Sequence, residues 1–270
     1  MCKIDDLSSH NFKKNNKMTE FIAVISAKGG VGKTTSSINL ALALNHFGTD
    51  TLIVDCDFTS ANVGTSLGFP PATKNLQGAM NNCYPITEAI YTHSSGLKVV
   101  PGSISYEDIK DMSYENLQNL FHSLKGPNQV IVDCPPGLGD EVIKILLAVD
   151  SVIIITTPDL IAVTDTLKTL HMIKDVKRKL YGVVVNKKTE QDYEMSLDNI
   201  KQFLEAKILG TIPEDKHFQT SLYYKNPFVH VFPERESSLE FKKIAADILG
   251  KTYKGNIPLY TKDIDTTDRY

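Results

Sequence analysis

The chain lacks paired cysteines, a long apolar run and an excess of charge of one sign, and each absence removes a class of protein. Cys2, Cys56, Cys83 and Cys134 are the four cysteines of 270 residues, and none stands in a C-x-x-C spacing. That argues against a zinc knuckle or a disulfide framework and makes reduced cytosolic thiols the default. The longest apolar stretch, around Ser151 to Thr157, has the size of a buried strand and falls well short of a membrane span. Lys and Arg total 29 against 32 Asp and Glu, a formal charge of -3. General affinity for nucleic acid or anionic lipid is therefore not expected. The N-terminus is polar and lysine-bearing with no apolar core, unlike a secretory signal. No internal repeat is present.

What is present is a glycine-rich turn between two apolar runs. Phe21-Ile22-Ala23-Val24-Ile25 leads into Ser26-Ala27-Lys28-Gly29-Gly30-Val31-Gly32-Lys33-Thr34-Thr35, and Ile38 to Leu44 follows as an amphipathic helical run. Strand, glycine turn, helix is the setting of a phosphate-binding loop. Glycines let several backbone N–H groups converge on an anion, and the positive end of the following helix adds to the same field. Lys33 is expected to reach the terminal phosphates and the Thr34 hydroxyl to hold a magnesium ion. Ala27 stands where the strict consensus has glycine; its methyl group is tolerable at negative φ and costs about 1 to 3 kcal/mol otherwise.

The rest of the chain repeats the rhythm. Residues 1–18 read as a polar extension with Lys13, Lys14 and Lys17 before Met18, a functional basic arm being the sharper alternative. Thr51 to Asp55 and Gln129 to Asp133 are short apolar runs that each close on an acid, at the carboxyl ends where open α/β sheets bind ligands. Asp55 and Asp57, two apart, are expected to do different jobs, with Asp57 on the phosphate and magnesium side. Further strands are expected at Leu97–Gly102, Val152–Thr156, Gly182–Val185 and Ile208–Gly210, and helices at Tyr114–Leu124, Val163–Val176, Ser196–Leu204 and Ser237–Leu249. Two short helical pieces are expected between Phe69 and His93, and a turn at Ile212-Pro213-Glu214-Asp215. The sum is an α/β fold, a doubly wound, mostly parallel sheet with helices on both faces, as one domain over 19–250 with a tail at 251–270.

The second lysine, Lys28, in Lys-Gly-Gly-Val-Gly-Lys-Thr, narrows the reading. The loop resembles the deviant phosphate loop of the MinD/ParA family of dimeric P-loop ATPases, shared with the nitrogenase iron protein and Mrp-type iron-sulfur carriers, and archaeal MinD-like members are the nearest in pattern. In that family the position of Ala27 varies. Asp55 to Gly64 resembles the first switch, including Asn62, and Asp133-Cys134-Pro135-Pro136-Gly137 the second. The resemblance implies ATP and Mg2+ as ligands, bound by Lys28, Gly29, Gly30, Val31, Gly32, Lys33, Thr34 and Thr35 with Asp133. It places Asn186, Pro213, Glu214 and Asp215 at the adenine. It implies that Thr34 and Asp57 hold the metal, that Asp57 positions the attacking water, and that Asp133 senses the γ phosphate through a metal-bound water. Lys28 is implied to cross to a partner subunit's nucleotide in an ATP-dependent homodimer, as an arginine finger does.

The activity so implied is slow, partner-stimulated ATP hydrolysis driving a dimerisation switch in spatial positioning, with an unidentified regulatory protein partner. Two other readings compete. ParA-like DNA partition would need clustered cations, and Lys174, Lys177, Arg178 and Lys179 form the one dense internal cluster, which a solvated helix end explains equally well; DNA binding is not expected. An Mrp-type carrier would need thiolate ligands, and closely spaced cysteines are absent. Gly255 and Pro258 interrupt the tail, and Asp263, Asp265 and Asp268 offset its lysines, so no C-terminal amphipathic anchor is expected. The expected location is cytoplasmic, with membrane association only through a partner.

Overall fold

The computed structural model describes residues 19–109, 114–253 and 255; the extension 1–18 and all but the start of the tail lie outside the described residues. Among the described residues eight strands form one sheet: β1 (Glu20–Ile25), β2 (Thr51–Asp55), β3 (Tyr91–Thr92), β4 (Lys98–Val100), β5 (Gln129–Asp133), β6 (Ser151–Thr156), β7 (Lys179–Lys188) and β8 (Ile208–Pro213). Their order is β3-β4-β2-β5-β1-β6-β7-β8. All pairs are parallel except β3 with β4, a two-residue edge strand that the sequence pattern does not signal. β1, β2, β5 and β6 read as unbroken apolar runs because helices cover both faces of the sheet, and nearly every residue of these four strands is buried. The register pairs Asp55 with Asp133, so both strand-end acids arrive side by side, next to the turn that leaves β1.

The helices supply one surprise. The run after the glycine turn, expected to be amphipathic, forms a helix over Lys33–His46 that is buried almost all round from Ser36 to Leu44. One side lies on the sheet, and the helix Glu236–Ile248 and the short helix Phe228–Val231 cover the other. Asn39, itself buried, caps this arrangement by accepting the Val229 N–H at 2.9 Å. The expected helix at 114–124 divides into a 3-10 turn at Tyr114–Asn116 and an α-helix at Leu117–Ser123. Pro213, expected in a turn, ends β8. A helix over Asp140–Ala148, and two shorter ones at His217–Tyr223 and Phe228–Val231, were not read from the pattern. The two short pieces expected between Phe69 and His93 are Leu76–Met80 and a 3-10 turn at Ile86–Ala89.

On the opposite face of the sheet, Phe121 is fully buried and stacks on Phe21 with ring centroids 4.6 Å apart. Phe121→Ala is expected to cost about 3–5 kcal/mol, the range for truncating a buried aromatic ring. Urea unfolding checks it: the midpoint falls while the slope stays the same. Among the described residues no helix is long and apolar enough to cross a membrane.

Candidate functional site

The glycine turn leaves β1 at the carboxyl edge of the sheet and feeds the helix that starts at Lys33. Gly30 and Gly32 take φ of 79° and 88°, left-handed values that a side chain resists. Ala27 is not among the positive-φ residues, so its methyl group carries no backbone penalty. A Cβ built on Gly29 or Gly30 would meet nothing, whereas one on Gly32 would collide with the Asn186 amide. The turn is thus open on its outer side and tight beneath. Three side chains hold its carbonyls: Ser26 Oγ donates to the Lys28 oxygen at 3.0 Å, Lys187 Nζ to Gly30 at 2.8 Å and Asn186 Nδ2 to Val31 at 2.7 Å.

Beneath the turn lies a dense charged cluster. Lys33, 7% exposed, places Nζ 3.1 Å from Asp133 Oδ1 and 4.0 Å from Asp57 Oδ2. Burial acts to lower the ammonium's pKa, but the Asp133 carboxylate, aided by Asp57, holds it above its ordinary value. Asp133 is fully buried and accepts from the Thr34 hydroxyl at 2.7 Å and the Ser37 hydroxyl at 2.7 Å as well as from Lys33. Ser37 was not singled out in the sequence; its signal is helical spacing, one turn beyond Lys33, whose carbonyl it also bonds.

Asp55 and Asp57, two apart, sit in different surroundings. Asp55 is fully buried and accepts the backbone N–H groups of Asp57 at 3.2 Å and Val63 at 3.0 Å, fixing the start of the loop and the short helix at its end. Burial, then the neighbouring Asp133, push its carboxyl well above the usual carboxylate range. Asp57 has one oxygen tied to the Thr59 hydroxyl and the Ser60 N–H, both at 3.0 Å, which turns the other toward Lys33. Its pKa is raised by burial against the pull of Lys33. The stretch after Asp133 is anchored to the end of β1 and the residue beyond it, through Cys134 N–H on the Val24 oxygen and Gly137 N–H on the Ser26 oxygen.

Lys28 stands apart from this cluster. It is exposed at the mouth of a recess of about 320 Å³ shared with Pro158, Asp159 and Tyr193. Burial works to raise the Asp159 carboxyl, yet hydrogen bonds from Thr157 and Ala162 and the charge of Lys28 hold it below its ordinary value. A second recess, of about 370 Å³, opens on the other side of the loop between Gly32, Thr35, Asn186, Pro213, Phe218 and Gln219. Glu214 and Asp215 line it too. The Asp215 carboxylate is committed elsewhere: it accepts from His217 N at 2.9 Å, His217 Nδ1 at 2.8 Å and Arg235 Nε at 2.5 Å. The residues expected at a nucleotide therefore lie along one edge of the sheet: Lys28 on the outer lip, Lys33, Thr34, Asp57 and Asp133 at and beneath the loop, and Asn186, Pro213, Glu214 and Asp215 around the second recess.

A mostly parallel sheet whose central strand ends in this loop, with the strand-end Asp133 and the nearby Asp57 beside its lysine, defines a P-loop NTPase. The family model described as ParA, the NUBPL iron-transfer P-loop NTPase, matches residues 17–249, and the chain belongs to that family. It is 29% identical over 237 residues to the uncharacterized ATP-binding protein MJ0547 of Methanocaldococcus jannaschii, covering 87% of this chain and 90% of the relative. Among solved structures it is similar to the septum site-determining protein MinD complexed with Mg-ADP from Pyrococcus horikoshii, at 28% identity and a TM-score of 0.81, covering 86% of this chain and 96% of that one. The cell division ATPase MinD of Pyrococcus furiosus matches with a TM-score of 0.82 at 28% identity, over 86% of this chain and 99% of that one.

Proposed function

We propose that the chain is an ATP hydrolase that works as a dimerisation switch in spatial positioning, of MinD type. The observation that carries this reading is the separation of the two lysines: Lys33 is buried against Asp133, while Lys28 is exposed on the lip of the loop. One lysine serves the nucleotide of its own subunit and the other is free to reach across to a partner's.

Thr34, Asp57 and Asp133 bring three oxygen donors to the Lys33 ammonium, at 3.5, 4.0 and 3.1 Å, and oxygen is the donor type that magnesium prefers. Thr34 and Asp57 would hold it, with Asp133 bonded through water. A bound Mg2+ would offset the charge on the phosphate oxygens. Gly29, Gly30, Val31 and Gly32 turn backbone N–H groups to the phosphates, and Thr35 lies at the edge of the second recess. Asp57 orients the attacking water. Asn186 and the backbone of Pro213, Glu214 and Asp215 enclose the adenine, the Asp215 side chain serving to brace that loop against Arg235 and His217.

Sedimentation velocity on purified protein tests the reading. The wild-type chain is expected to be dimeric with Mg2+ and a non-hydrolysable ATP analogue and monomeric with Mg-ADP. A monomer in both states would reject the switch. The domain boundaries at 19 and 250, a regulatory partner and recruitment to a membrane through that partner are parts of the same proposal. The second reading, iron transfer, is favoured by the family description; Cys56 and Cys134 are buried and Cys83 is exposed, so a cluster would have to be bridged by lone cysteines of two subunits. A stoichiometric visible chromophore after anaerobic reconstitution would support that reading over the first.

A further inference from the structure

Lys187 follows Asn186 at the end of β7. In a regular strand successive side chains point to opposite faces, so only one of the two should meet the loop. Here both do: Asn186 Nδ2 donates to the Val31 oxygen at 2.7 Å and Lys187 Nζ to the Gly30 oxygen at 2.8 Å. The departure has a visible cause. Lys187 takes a φ of 57°, a left-handed value that is uncommon for a lysine and is kept where surrounding structure enforces it. The β7–β8 pairing shifts register between Val185 and Lys188 at the same point.

The enforcement comes from the next residue. Lys188 is buried, its carbonyl accepts the Glu214 N–H at 2.9 Å, and its ammonium donates to Glu194 Oε2 at 2.6 Å. Glu194 also accepts from the Thr189 N–H at 2.9 Å and the Thr189 hydroxyl at 2.6 Å. With Lys188 fixed on one side and Asn186 on the other, the residue between them is turned toward the loop. Lys187 lines both recesses, the one with Phe218 and Pro213 and the one with Lys28. With Glu214, which also lines both, it stands between them.

We propose that Lys187 is a positioning residue of the nucleotide site: its ammonium pins the Gly30 peptide so that the loop's N–H groups stay aimed at the phosphates, and its stem walls the base recess. The pinned stretch is the one that needs it, since Lys28, Gly29 and Gly30 are exposed and Gly30 has no side chain to pack. The inference rests on the nucleotide reading above for its ligand, and on the hydrogen bond alone for the pinned loop.

The test uses the full chain and Lys187→Met, which keeps the stem and removes the donor, with Lys187→Arg as the conservative variant and Lys187→Gln in reserve against misfolding of the first. Hydrogen exchange of the loop amides is measured without nucleotide, and affinity is measured with mant-ATP and Mg2+. Loss of a charged hydrogen bond should speed exchange at Gly29 to Gly32 and weaken mant-ATP binding by about tenfold each. In turnover the loss should fall on KM rather than kcat, and arginine should restore most of it. Wild-type exchange and affinity in Lys187→Met would overturn the proposal while leaving the ATP reading intact. A wild-type protein that binds no mant-ATP would instead reject the ATP reading and the ligand half of the proposal, the exchange rates then deciding whether the loop is pinned.

Discussion

Lys33→Ala is expected to lower ATP turnover by about 10²–10³-fold, the loss seen when one preorganised group facing a transition-state charge is removed. The same substitution should weaken the protein before any nucleotide is added. Lys33 is the cation that lies 3.1 Å from Asp133 and 4.0 Å from Asp57, and both carboxylates are buried. Taking one partner from a buried ion pair strands the other, at a cost of about 3–5 kcal/mol. The hydrogen bonds from Thr34 and Ser37 remain on Asp133 and soften that penalty. The two effects separate in a double variant. Lys33→Met with Asp133→Asn removes the stranded charge and should recover most of the stability by urea unfolding, with no recovery of phosphate release. If stability and turnover returned together, the lysine would owe its importance to folding and have no part in the chemistry.

Lys28→Ala should give the opposite pattern. The side chain is exposed and touches the charged cluster nowhere, so stability should change by less than about 0.5 kcal/mol, as for surface substitutions generally. Binding of mant-ATP to the monomer should stay within about threefold, a change of well under 1.4 kcal/mol. Turnover should fall by about 10³-fold, the scale of a cation supplied in trans, and the Mg-ATP dimer should be lost. Unchanged turnover would remove the cross-subunit role. Mixing Lys28→Ala with Asp57→Ala sharpens the result: each mixed dimer then has one nucleotide site with both groups intact, and activity should reappear on mixing if Lys28 acts across the interface.

The phosphate loop and the two strand-end acids were legible in the sequence because each is a local pattern, a glycine spacing or an apolar run stopped by one charge. The strands they sit on were legible for the same reason, all but the two-residue β3. What local pattern could not give was anything set by neighbours distant in the chain. The helix after the loop read as amphipathic, yet it is enclosed because the helix Glu236–Ile248, some two hundred residues later, lies over its outer face. Ser37 became part of the site through the register that places Asp133 beside it. Lys187 was hidden by the rule of alternation itself, since only a left-handed residue at the end of β7 brings it round to the loop. Of the two side chains that hold Asp215, His217 opens a helix that the pattern did not mark, while Arg235 stands just before the helix expected from Ser237.

Enclosure of the helix Lys33–His46 has a mechanical consequence. An element hemmed in by the sheet beneath and two helices above is a stiff abutment, with no room to rock or slide when the charge at its first turn changes. On the proposed switch reading, displacement produced there would pass to the stretches that follow Asp55 and Asp133, which lie beside the same charged cluster. Hydrogen exchange should therefore leave the middle of that helix the slowest segment of the molecule in every nucleotide state, while the two acidic stretches change their rates with each exchange of ATP for ADP.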